Sequence, residues 1–135
     1  MVARLGAIVA TAAAVAFAEA LQPSWKDYQA KVVENAYRDV NIAFANEMAL
    51  ICEEFGADVW HVRELVNKAP YRAMHLPGPG VGGHCIPKDS WLLIAWGSEA
   101  LDARLMPTAR AVNDAMPLHT MALTRAALEQ VDVPL

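Results

Sequence analysis

From Trp25 to Phe55 the chain contains neither proline nor glycine, and Gly56 closes the run. A stretch of that length without a breaker, ended by a glycine, reads as one long helix with a left-handed stop. At 1.5 Å per residue such a helix extends roughly 45 Å, more than one small core needs, and suits a spine or a subunit interface. Val32, Tyr37, Val40, Phe44, Met48 and Ile51 recur along it at helical spacing, with Lys31, Glu34, Arg38, Asn41 and Glu47 between them.

The remaining pattern is also helical. Asp58 is placed to cap a short helix through Asn67, with Val59, Val62 and Val66 apolar. Asp89 or Ser90 starts a third helix that runs through Leu92, Leu93, Ile94 and Trp96 to Gly97, and a last one spans about Pro107 to Val131, bent at Pro117. Between the second and third lies a loop. From Pro70 to Pro87 four prolines and four glycines exclude regular helix or central strand. The expected fold is all-α: a long spine helix plus shorter helices, with one Gly/Pro-rich loop.

At 135 residues the chain is about one domain long. It is 56% hydrophobic and 19% charged, which places it among globular rather than disordered chains. A net charge of −4 with no basic cluster gives no footprint for a nucleic acid. Two cysteines outside any C-x-x-C pair make neither a disulfide framework nor a zinc site, so a reducing, cytoplasmic setting is expected. Residues 1–24 form an Ala-rich segment of their own, and 25–135 the domain proper. Within the segment Arg4, the apolar run Leu5 to Phe17 and Ala16-Phe17-Ala18 imitate a secretory signal. The run is mostly alanine and too short to span a bilayer, so it reads as a packed helix or a tail, and no membrane partner is expected.

The loop carries the chemistry. Glycines take positive φ and leave their N–H groups open to a ligand such as an anion or a sugar. Cys85 follows Gly82-Gly83-His84, and Asp89 comes four residues on, near a helix start whose dipole favours a thiolate or oxyanion. That arrangement fits a nucleophilic cysteine; taken alone, it fits equally a small buried Cys85 beside a loop histidine. Cys52, within Ala49-Leu50-Ile51-Cys52, reads as core. Gly78-Pro79-Gly80-Val81-Gly82-Gly83 follows no strand and opens no helix directly, so it is not a dinucleotide fingerprint. His75, His84 and Cys85 lack a fourth ligand, and no metal is expected. Lys31 and Asn35, four apart, project from one face of the long helix, with Arg38 and Asp39 just beyond.

Three motifs decide between these readings. The run Lys31-Val32-Val33-Glu34-Asn35-Ala36-Tyr37-Arg38-Asp39-Val40-Asn41, the loop Pro77-Gly78-Pro79-Gly80-Val81-Gly82-Gly83-His84-Cys85-Ile86-Pro87-Lys88-Asp89, and Ala109-Arg110-Ala111-Val112-Asn113-Asp114-Ala115-Met116-Pro117 occur in order. Together they resemble the central, dimer-forming domain of the UDP-glucose/GDP-mannose dehydrogenase family, and Gly-Gly-His-Cys resembles its UDP-N-acetylhexosamine branch, such as UDP-N-acetylmannosamine 6-dehydrogenases.

The resemblance implies oxidation of a nucleotide sugar's C6 alcohol to a carboxylate with NAD, in polysaccharide biosynthesis. It implies Cys85 as the nucleophile, Lys31 and Asn35 as holders of the C6 oxygen and nearby water, and Asp89 as base or water-orienting group. It implies that Gly80, Gly82 and Gly83, with Arg72, shape the substrate pocket, an arginine reaching the substrate of the neighbouring subunit. The family's flanking NAD-binding and UDP-binding domains have no counterpart in these residues. The chain is therefore expected to be inactive alone and to act as a homodimer or beside a complementary dehydrogenase subunit, the alternative being a non-catalytic interaction module or gene remnant.

Overall fold

A computed structural model of the chain describes residues 15, 18–19, 22–97 and 102–131. The signal-like run and most of the Ala-rich segment lie outside the described residues. Helix α1 spans Pro23–Phe55, α2 Val59–Asn67, α3 Cys85–Gly97 and α4 Leu105–Gln130. Among the described residues there is no strand, so the all-α expectation holds. α3 and α4 both lie along α1 and touch each other, while α2 meets α1 near the spine's end.

Local chemistry explains most of the boundaries. Pro23 opens α1 because its fixed φ suits the first turn and its missing N–H has no intrahelical partner there. Gly56, at φ 65°, ends it with a paired cap in which Ala57 N–H donates to Cys52 O (2.8 Å) and Gly56 N–H to Glu53 O (3.2 Å). Asp58 caps α2 as expected, its Oδ1 accepting from the Trp60 N–H at 2.9 Å. α3 departs from expectation. It begins at Cys85, not at Asp89 or Ser90, because Pro87 falls in the first turn, where its missing N–H and preset φ cost nothing. α4 starts at Leu105 and continues through Pro117.

The long helix α1 buries small side chains. Its buried face is built from Val32, Ala36, Ala43, Ala45, Ala49 and Cys52, small residues that let neighbouring helices approach closely. Of the bulky apolar residues that recur at helical spacing, Tyr37, Phe44 and Ile51 are exposed, Tyr37 to 68%.

Polar groups fill the centre. Asp39, 1% exposed, accepts from Arg110 Nη1 (2.6 Å), Asn113 Nδ2 (2.8 Å) and Ser90 Oγ (2.8 Å), joining α1 to α4 and α3. Arg110, also buried, reaches out to Asp114. Asn113 also donates to the Asp39 carbonyl (3.0 Å) and accepts from Asn46 Nδ2 (2.9 Å), and Asn46 Oδ1 accepts the Gly78 N–H of the loop (2.8 Å). One chain of hydrogen bonds thus runs from the loop through α1 and α4 to the first turns of α3. Removing one partner of a buried ion pair strands the other, so Asp39→Ala is expected to cost about 3–5 kcal/mol in urea unfolding. Arg38→Ala, which breaks only the exposed pair with Glu34, is expected to cost under about 0.5 kcal/mol.

Candidate active site

The structure brings Asn35 and Asp89 into direct contact: Asn35 Nδ2 donates to Asp89 Oδ2 at 2.8 Å. Asp89 sits in the second turn of α3, four residues after Cys85, so Cys85 and Asp89 lie on one face of that helix. Cys85 is the helix's first residue and is exposed, whereas Cys52 is buried, as read from the sequence. The helix start therefore presents an accessible sulfur where unpaired N–H groups and the dipole favour negative charge. Lys31 stands one turn before Asn35 on α1 and is exposed.

Asp89 is 4% exposed. Burial pushes its carboxyl toward protonation, but the Asn35 hydrogen bond and the Lys88 ammonium, with His84 adding to them, outweigh it and hold the carboxyl below the ordinary carboxylate value. Lys88 Nζ lies 3.0 Å from Oδ1. That oxygen is withdrawn from solvent, and the ammonium serves as its counter-charge.

The loop is held in place from both ends. Asn67 closes a two-way clamp on Met74, accepting its N–H (2.7 Å) and donating to its carbonyl (3.3 Å), and Arg63 Nε donates to the same carbonyl (3.0 Å). Further on, Gly80 has φ 98°, and a Cβ there would meet the Asn113 carbonyl at 2.5 Å. Pro117 explains that approach: lacking an N–H, it leaves the carbonyl four residues back without a helical donor, and the loop backbone packs against it. Gly82 and Gly83 are exposed, and Gly83 has φ 84°.

The expected site residues fall into two groups. Asn35, Cys85 and Asp89 converge, with Lys31 on the same side of α1. Arg72 does not join them: it is exposed, bonds to the Pro70 carbonyl (3.2 Å), and lines a cavity of about 550 Å³ with Arg63, Asn67, His75, Gly78 and Gly80. Neither Cys85 nor Asp89 lines that cavity, and no acidic residue does. Arg63, Asn67 and Lys88 are contributors that sequence reasoning missed; nothing in their spacing marks them.

Residues 28–115 match the model of the UDP-glucose/GDP-mannose dehydrogenase family, central domain. The chain belongs to that family. It is 46% identical over 104 residues to an NDP-N-acetyl-D-galactosaminuronic acid dehydrogenase of Ralstonia nicotianae, covering 77% of this chain and 24% of the relative. It is 49% identical over 98 residues to the UDP-N-acetyl-D-mannosamine dehydrogenase of Yersinia pestis, covering 73% and 23%. The solved UDP-D-ManNAc dehydrogenase of Pyrococcus horikoshii superposes with a TM-score of 0.68 at 43% identity, over 77% of this chain and 24% of that one. The chain thus spans about a quarter of the length of these relatives.

Gly80→Ala meets both backbone strain and the Asn113 carbonyl, and is expected to lower stability by at least about 1–3 kcal/mol in urea unfolding. Gly82→Ala, with open space around it, is expected to stay within about 0.5 kcal/mol. Because the folded Asp89 carboxyl titrates below its unfolded value of 3.8, its stabilisation is present above that pH and is lost as pH falls through the folded value. Acid should therefore destabilise the native chain more than Asp89→Asn, measured as the change in urea midpoint between neutral pH and pH below 3.8.

Proposed function

We propose that the chain is the substrate-handling and dimer-forming part of an NAD-dependent dehydrogenase that oxidises C6 of a UDP-N-acetylhexosamine to a carboxylate. The observation that carries this reading is the Asn35–Asp89 hydrogen bond beside an exposed Cys85 at a helix start. Cys85 as thiolate adds to the carbonyl carbon of the C6 aldehyde, and the oxygen takes up the negative charge. Lys31 and Asn35 face that oxygen, and a cation and an amide aimed at developing charge lower the barrier. Loss of hydride leaves a thioester; Asp89 orients water and takes its proton as the water adds, releasing the carboxylate and the thiol.

The two oxidations need a hydride acceptor, which in this family is NAD. The described residues do not fit it: they contain no strand, and Pro77 and Pro79, on either side of Gly78, exclude a dinucleotide cradle. No residue here is assigned to NAD. The cation-rich, acid-free cavity around Arg72 supports the reading that Arg72, with Arg63 and His75, meets the phosphates of a nucleotide sugar whose reacting end lies at the neighbouring subunit's cysteine. Gly80, Gly82 and Gly83 shape the loop between the two.

Val33, Tyr37, Phe44 and Phe55 leave a large apolar strip of α1 exposed, which favours a second subunit against the spine, either another copy or a complementary dehydrogenase chain. The boundary near residue 25 belongs to the same proposal. Neither a cytoplasmic location nor a role in polysaccharide biosynthesis goes beyond the family's habit; among the described residues no helix is long and apolar enough to cross a membrane.

The test is NADH production from UDP-N-acetylmannosamine and UDP-glucose, comparing the chain alone, the chain with a separately expressed NAD-binding domain, and that mixture with Cys85→Ala. Turnover in the complemented sample that disappears in Cys85→Ala is the expected result. Silence in every sample from a well-folded dimer defeats the catalytic reading and leaves an interaction module.

A further inference from the structure

Cys85, Lys88 and Asp89 occupy positions i, i+3 and i+4 of α3, so their side chains share one helix face. The Lys88 side chain is 45% exposed and that of Asp89 6%, with Nζ 3.0 Å from Oδ1. A carboxylate taken out of water needs a counter-charge or donors to stay ionised. The groups that face it can be named. Asn35 comes from α1 and occupies Oδ2, while Lys88 and His84 come from α3 and the turn before it. Tyr28 and Cys85 lie close enough to Lys88 to be felt electrostatically, and Lys31 stands one turn before Asn35. Asp39 and Arg110, at the adjacent Ser90, neutralise each other. Among the described residues Lys88 is therefore the one cation in ion-pair contact with Asp89.

We propose that Lys88 is a positioning residue for the Cys85 centre: its ammonium anchors Oδ1 of Asp89, turns Oδ2 onto Asn35, and keeps the buried carboxylate charged beside the thiol. Its role is exerted through Asp89 and needs no contact with substrate. An aspartate fixed in this way stays unprotonated at neutral and mildly acidic pH, its carboxylate held in one orientation between Lys88 and Asn35. That is the state required of a group that orients water for thioester hydrolysis. The inference rests on the assignment of Cys85 and Asp89 to the reaction.

The test is a carboxyl-carbon NMR titration of Asp89 in the full chain, in the native sequence, Lys88→Met and Lys88→Arg. The expected result is an upward shift of the Asp89 midpoint in Lys88→Met that Lys88→Arg reverses, because only the charge and its reach are restored. The half-exposed position of Lys88 lets both variants fold, which circular dichroism checks. An Asp89 midpoint unmoved by Lys88→Met, or raised equally by both substitutions, overturns the proposal. The titration is read without turnover. A shift seen in a chain that never supports NADH production refutes the catalytic reading alone, whereas turnover with no shift refutes the role of Lys88 alone.

Discussion

The fold depends on the carboxylate of Asp39. It lies in the middle of the long helix, is withdrawn from water, and is compensated by Arg110, Asn113 and Ser90. A buried ion pair contributes little net stability over an apolar core of equal volume, but it is intolerant of misplacement, since any rotation or slide leaves a charge unpaired. Here that intolerance is useful. It fixes the register of α1 against α3 and α4 at one point, and the Asn35–Asp89 contact lies one turn away from it on α1 and one residue away on α3. Alanines on the buried face bring the helices close enough for these short side chains to meet.

The same network reaches the loop. Asn113 passes the constraint to Asn46, and Asn46 holds the Gly78 N–H. Pro117 opens the Asn113 carbonyl to the approach of Gly80. A loop of prolines and glycines has no regular hydrogen bonding of its own, so its shape comes from what it docks on. It docks on α1 through Asn46 and on α4 through Asn113 and Pro117, which is why a loop with little intrinsic structure can deliver Cys85 to a fixed place at the head of α3.

Much of this was legible in the sequence, for identifiable reasons. The glycine stop at Gly56 and the aspartate cap at Asp58 are local signals, and the structure has both. The pairing of Asn35 with Asp89 is not a local signal; the three motifs read together mark both as site residues, and their contact comes from the structure. The start of α3 was misplaced because Pro87 was taken as a breaker, although proline in a first turn is no obstacle. The inward face of α1 is not legible from hydrophobicity, which marks large residues, because this helix buries small ones and displays Tyr37 and Phe44. The roles of Ser90 and Asn46 left no trace, since partners 51 and 67 positions apart obey no period.

One buried carboxylate, that of Asp39, organises both the loop and the start of α3. Amide hydrogen exchange in Asp39→Asn, compared with the native chain, measures it directly. Asp39 touches neither Gly78 nor Asp89, yet the account predicts faster exchange at Gly78, relayed through Asn113 and Asn46, together with the N-terminal turns of α3. Faster exchange confined to residues around Arg110 and Asn113, with Gly78 and α3 as protected as before, would contradict it.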